Sequence, residues 1–328
     1  MMKYLIILLD DTSVSFCHYS ISKKERNIIP LELLKKAVFY AMKENLNIQF
    51  VYPEYDIPTE YEQVIESIDH IKIKPSTAAN DADIIVFKDI ESASGFKFNR
   101  ESTYAVRCQK EELFAKYDEI ISILRQSKRL NVVITNVEEF NEKDFNTYNE
   151  LLEKFSKAIE ELYTRGITPQ LNLLTDRLML DSMNNCDAGI SSITLAPNGK
   201  FYICPAFYYS GCCDGTELTQ DDVCQKGYSS GNIDEGIKIK NQRLYELSHA
   251  PLCRKCDAYQ CRRCVWLNRK TTLEVNTPSH EQCVVAHIER NASSKLLYRM
   301  RKHGNFFPNI KELKETEYLD TFEIRDIW

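Results

Sequence analysis

Glycine is scarce in the first half of this sequence: up to Arg165 there is only Gly95, and the other nine follow from Gly166 onward. The first half is therefore expected to consist of regular elements with tight connections, and the second to be loop-rich. Cysteine is equally scarce there, with only Cys17 and Cys108 before residue 186. Long apolar runs are absent. Tyr4 to Leu9 spans six residues before Asp10 and Asp11, with no small-residue cleavage site after it. A membrane span needs about 20 apolar residues, and a secretory signal also needs a longer apolar stretch. The segment reads as a buried strand, and the expectation is a cytoplasmic protein with no membrane partner. An excess of positive charge is lacking too. Forty-two Lys and Arg face 48 Asp and Glu, for a net charge of −6 and a pI near 5.7, which argues against a dedicated nucleic-acid binder.

What is present is concentrated. The chain has 328 residues, 43% hydrophobic and 27% charged, enough for one large globular domain or two ordinary ones. Ten of the twelve cysteines lie between Cys186 and Cys283. Thiols in a reducing cytosol seldom form structural disulfides, so this clustering points to metal. Glycine and cysteine shift together, which places a boundary near residues 175–185.

The first half reads as strands alternating with helices. Strands are expected at 4–9, 48–52, 70–73, 83–87, 104–107, 130–135 and 170–174. Pro30 opens a helix whose Leu34, Ala37, Val38 and Ala41 share a face. Further helices are expected over 60–68 and 111–126. A long one carries Phe145, Tyr148, Leu151, Leu152, Phe155, Ile159 and Leu162, and Gly166 ends it. Such alternation implies a mostly parallel sheet with helical crossovers, as a partial barrel or a doubly wound sheet.

In the second half, Pro197-Asn198-Gly199 is a turn between strands at 191–195 and 200–203, so Cys186 and Cys204 flank a β-hairpin. Cys253, Cys256, Cys261 and Cys264 then fall within twelve residues, a density that is hard to explain without metal. Ser279 to Gln282 resembles a capping box that opens a helix running to about His303. Cys283 sits in its first turn, where exposed amides favour a thiolate or an anionic cluster. Arg254, Lys255, Arg262, Arg263, Arg269 and Lys270 crowd this block. They read as charge compensation for thiolate-bound metal, as a contact surface for an acidic peptide or nucleic acid, or as a solvated face. Cys212, Cys213 and Cys224 lie in a long Gly-, Ser- and Asp-rich stretch and are possible extra ligands.

Cys186…Gly199-x4-Cys204, Gly231-Asn232-Ile233, the four-cysteine run and Cys283 together resemble the SPASM domain, which carries auxiliary [4Fe-4S] clusters in radical SAM peptide-modifying enzymes. The usual run is C-x2-C-x5-C-x3-C, and here the last two gaps are x4 and x2. The first half is similar to the partial (β/α)6 TIM-like barrel of those enzymes, in degenerate form. Their C-x3-C-x2-C loop is missing: with Cys17 as its last cysteine, the other positions hold Asp10 and Val14. Their glycine-rich SAM segment reads Val51-Tyr52-Pro53-Glu54. The whole chain, with its opening LIILLDDTSVSFCHY, resembles the CXXX repeat peptide maturase family.

The resemblance implies residues 1–180 as a degenerate radical SAM-like barrel, 181–304 as a SPASM-like iron–sulfur domain, and 305–328 as a C-terminal tail. Cys253, Cys256, Cys261 and Cys283 would bind a distal cluster. Cys186, Cys204 and Cys264 would bind a proximal one, its fourth ligand coming from Cys212, Cys213 or Cys224 or missing. The implied role is maturation of a ribosomally made cysteine-repeat precursor peptide beside an active radical SAM partner, by peptide binding or electron transfer. No SAM cleavage by the chain itself is expected. The other readings are a zinc-stabilised binding module without a redox role, and an enzyme using Asp10, Asp11, Cys17 and His18 in the barrel mouth.

Overall fold

The computed structural model describes residues 2–210 and 228–314. Cys212, Cys213 and Cys224 lie outside the described residues. In chain order the first elements are β1 (Tyr4–Leu8), α1 (Leu31–Glu44), β2 (Asn47–Val51), α2 (Thr59–Ile65), β3 (His70–Pro75), β4 (Ile84–Phe87) and β5 (Thr103–Cys108). Next come α3 (Lys110–Ala115), α4 (Tyr117–Gln126), β6 (Arg129–Ile134), α5 (Glu142–Thr164), β7 (Gln170–Leu171) and α6 (Thr175–Met179). The hairpin strands β8 (Ser192–Leu195) and β9 (Lys200–Tyr202) follow, then α7 (Pro205–Tyr209), β10 (Ser229–Asn232) and β11 (Gly236–Ile237). The last helices are α8 (Val265–Thr272) and α9 (His280–Arg301). The result is a mixed α/β fold, and among the described residues no helix is long and apolar enough to cross a membrane.

The chain forms two compact units, each built from an early and a late stretch: Met1–Lys88 with Asp187–Pro251, and Asp89–Cys186 with Leu252–Trp328. Position 180 falls inside the second unit.

In the first unit the strand order is β11-β10-β9-β8-β1-β2-β3-β4. β1 to β4 are parallel, and β8 joins the opposite side of β1, also parallel. Parallel strands covered on both faces need apolar residues at successive positions. Leu5, Ile7, Leu8 and Leu9 meet that need, each with no exposed surface. α1 presents Leu34, Ala37, Val38 and Ala41 to this core and stops at Asn45, whose φ of 53° makes a left-handed cap. The expected hairpin is present, with Thr194 opposite Tyr202 and Leu195 opposite Phe201. Its first strand is also the parallel neighbour of β1, a pairing with no local sequence signature.

In the second unit β5, β6 and β7 run parallel. The helix expected over 111–126 is two helices, because Lys116 leaves the helical conformation at φ −116° and ψ 28°. The strand expected over 170–174 is only two residues long and turns straight into α6. α5 begins on a capping box in which Asn141 and Asp144 bond each other's backbone amides. It packs along α9, burying Tyr148, Leu152, Phe155 and Ile159 on one side and Leu296, Leu297 and Met300 on the other. Full burial of each such side chain stabilises the fold by roughly 2–3 kcal/mol. At the rim Arg299 bridges Glu153 at 2.6 Å and Glu160 at 3.0 Å, and these half-exposed pairs add little.

Candidate metal centre

The segment from Leu252 to Cys264 has no regular structure beyond turns. Two turns shape it. The Cys256 amide donates to the Cys253 carbonyl at 3.0 Å, and the Cys261 amide donates to the Ala258 carbonyl at 3.0 Å. The x2 spacing thus places two thiols on one tight turn, the arrangement that lets a pair grip one ion or cluster. Ser279 caps α9 by accepting from the Gln282 amide at 3.3 Å, which puts Cys283 in the first turn as expected.

Cys253, Cys256, Cys261 and Cys283 line one cavity of about 90 Å³ within the second unit. Four of the sequence-selected cysteines are therefore brought together. Its remaining walls include Met183, Leu252, Arg263, Gln282 and His287. The thiols feel the burial and one another. Burial pushes Cys253 up to about 11 and raises Cys256. Cys261 rises well above the usual thiol range, through burial first and then through Cys283 and Cys253. Cys253, Cys256 and Cys261 therefore favour the protonated form unless a cation compensates them, and they must ionise to bind metal.

Cationic compensation is built into the surrounding shell. Arg263 is 1% exposed, Arg177 5% and Arg290 4%. Arg263 draws down Cys253 and Cys264, and Arg290 and Arg177 draw down Cys256. Arg177 and Arg290 share the Asp257 carboxylate, Arg263 donates to Asn185 at 3.0 Å, and Arg177 stacks on Tyr259. Buried guanidiniums around thiols favour an anionic occupant, and thiolate-bound zinc and a thiolate-bound [4Fe-4S] cluster are both anionic. The donor set thus fits either group. Of the six basic residues that sequence singled out, Arg263 is buried beside the cysteines, whereas Arg254, Lys255, Arg262 and Lys270 are exposed.

A second pair lies in the same unit. Cys264 caps α8, accepting from the Leu267 amide at 3.4 Å. Burial, and then Cys186, pushes its thiol up to about 12. Cys204 belongs to the first unit, at the start of α7. Cys108 is fully enclosed, and burial pushes it up to about 12, the mark of an inert core thiol.

The polar residues after β1 form a closed network. Asp10 accepts from the Thr12 amide at 2.7 Å, the Thr12 hydroxyl at 2.5 Å and the Tyr55 hydroxyl at 2.8 Å. Asp11 accepts from Tyr208, from Asn27 at 3.2 Å and from Lys23 at 3.5 Å. Val14 is buried, its amide donating to the Tyr52 carbonyl at 2.9 Å. Cys17 and His18 are half-buried in the same loop.

No family model and no curated protein sequence matches the chain. Solved structures do match. anSMEcpe with bound AdoMet superposes with a TM-score of 0.60 at 11% identity, covering 94% of this chain and 97% of that one. The chain shares its fold with anSMEcpe. The complex of anSMEcpe with AdoMet and Cp18Cys peptide matches with a TM-score of 0.59 at 14% identity, covering 91% of this chain and 99% of that one. The likeness runs over nearly the whole length of both chains, and at such identity it carries the fold alone.

Four residues around the cysteines escaped the sequence reading. His287 lies one turn beyond Cys283 on α9, its Nε2 3.4 Å from Cys256 Sγ, and burial lowers it to about 4, so the ring is neutral. Its signal was the four-residue spacing on one helix. Glu289, further along the same helix, accepts from Tyr148 at 2.7 Å and from Gln260 at 3.3 Å. Arg177 and Arg290 lie outside the cysteine block and carried no signal in sequence.

Proposed function

We propose that this chain matures a ribosomally made, cysteine-repeat peptide as the cluster-bearing partner of an active radical SAM enzyme. One observation carries the reading: Cys253, Cys256, Cys261 and Cys283 line a single cavity inside a frame of buried guanidiniums. These four residues are the proposed ligands of a distal [4Fe-4S] cluster. Cys186, Cys204 and Cys264 are those of a proximal one, with Cys212, Cys213 or Cys224 as a possible fourth. When bound, such clusters supply one-electron transfer. The chain's own residues ionise to hold them, and Arg263, Arg177 and Arg290 offset the charge. The protein is proposed as cytoplasmic, with residues 1–180 as a degenerate barrel, 181–304 as a SPASM-like domain and 305–328 as a tail. The radical SAM-like fold, and the peptide held by anSMEcpe in its complex, support peptide maturation as the setting.

AdoMet does not fit the loop after β1. A three-thiolate site needs cysteines where Asp10 and Val14 stand. Asp10 is already bonded through its carboxylate and Val14 is packed in the core. No step through AdoMet is assigned to this chain.

Zinc is the second reading, because all-thiolate zinc sites use the same ligands. One observation favours the larger group: a cavity of about 90 Å³ exceeds the room that one ion needs. Anaerobic purification followed by iron, sulfide and zinc analysis and a visible spectrum tests the choice. Brown protein with iron and sulfide is expected. Colourless protein holding only stoichiometric zinc would sink the cluster reading and leave a zinc-stabilised binding module.

A further inference from the structure

Two groups stand within hydrogen-bond distance of the Cys256 sulfur. The Ala258 amide donates to it at 3.4 Å, and His287 Nε2 lies 3.4 Å away. His287 is placed by helix periodicity: Cys283 and His287 are four residues apart on α9, and both line the cavity. The imidazole thus approaches from the helix while the amide approaches from the loop. A metal-bound thiolate can only accept, so with the group bound the ring would carry its proton on Nε2.

We propose that His287 is a positioning residue that donates from Nε2 to the Cys256 sulfur and so sets the reduction potential of the group held by the four cysteines. The inference rests on the cluster reading given above. An N–H donor withdraws charge from the sulfur, and the bond is stronger when the cluster carries an extra electron. Hydrogen bonds to ligand sulfurs are among the levers that set cluster potentials. Removing the donor should therefore make the cluster harder to reduce without removing a ligand. His287 is not required as a ligand, since four thiols already line the cavity.

The test compares the wild-type protein with His287→Leu and His287→Gln, each reconstituted anaerobically with iron and sulfide. Iron and sulfide are measured, and midpoint potentials are followed by EPR. The distal signal is identified by its loss in Cys253→Ala. All three proteins should hold equal iron and sulfide. His287→Leu should disfavour reduction by roughly tenfold, about 59 mV for one electron. His287→Gln, which keeps an N–H near the same place, should recover most of that shift. An unchanged potential in His287→Leu overturns the inference. Equal loss of iron from both variants also overturns it, because the ring would then be a ligand or a packing element. If the wild-type protein itself holds no iron and sulfide, the cluster reading fails first, and that is seen before any variant is compared.

Discussion

Replacing Glu289 with Gln should remove a pH-dependent share of this protein's stability. Glu289 is 8% exposed on α9, and burial raises its carboxyl to about 7. Tyr148 from α5 and Gln260 from the cysteine loop pull it down through hydrogen bonds, and the Asp176 charge from α6 pushes it up. Cys261 is a further titratable neighbour, its own thiol raised in part by this carboxyl. In the unfolded chain the same group titrates near 4.3. The folded state therefore keeps a proton that the unfolded state has already lost.

The sign follows from linkage. Below about pH 4.3 both states are protonated and the contribution is fully present. As the pH rises toward 7 only the unfolded chain ionises, so stability falls, by about 3 kcal/mol over the whole interval. Glu289→Gln is neutral throughout and should lose none of it. It carries instead a pH-independent cost of about 1 kcal/mol, because its amide faces the Gln260 amide. Urea unfolding of both proteins from pH 5 to 8 checks this. The variant should gain on the wild type by most of that 3 kcal/mol as the pH rises, and other titrating groups cancel in the difference. A constant offset at every pH would refute the reasoning, because it would mean that the carboxyl is ionised inside the fold.

Three other outcomes are expected. Cys186→Ala and Cys264→Ala should lose the same share of metal, their double mutant should be little worse than either, and Cys253→Ala should lose a different share, since ligands of one site act as a unit. Additive losses at Cys186 and Cys264, read by metal analysis, would separate the two thiols. Gly231→Ala should destabilise the first unit by about 3 kcal/mol or more, measured by denaturant unfolding. Gly231 has a φ of +107°, and an added Cβ would overlap the Gly236 carbonyl oxygen and crowd the Lys238 nitrogen at 3.0 Å. Finally, reduced protein incubated with AdoMet should yield no 5′-deoxyadenosine above background, and clear turnover by the chain alone would overturn the account of the loop after β1.

Local order was legible in the sequence wherever one element decides its own form. The run from Tyr4 to Leu9 could only be a covered strand, and the spacing of Leu34, Ala37, Val38 and Ala41 could only be a helix face; both are present. What failed was decided at a distance or by a single backbone turn. Nothing in Ser192 to Leu195 says that it will lie beside Tyr4 to Ile7 rather than in a separate layer, since parallel pairing leaves no trace in either strand alone. Lys116 breaks a helix that its side-chain pattern continues, and of the strand expected over 170–174 only Gln170 and Leu171 pair before the chain turns into α6.

The candidate site was legible through its sulfurs and hidden in its charges. Cysteine spacing is a property of the chain itself, so Cys253, Cys256, Cys261 and Cys283 can be grouped from the sequence alone. Arg177 and Arg290 stand 79 positions before and 34 positions after Cys256, the thiol they draw down, and only the packing of α6 and α9 brings them to it. Within the run, Arg263 separates Cys261, which lines the cavity, from Cys264, which caps α8. Its guanidinium draws down both Cys253 and Cys264. A single buried cation thus serves thiols assigned to two different sites, so the two sites should not be electrostatically independent. That coupling follows from the short gap between Cys261 and Cys264, which leaves only Arg262 and Arg263 between them, the first exposed and the second buried.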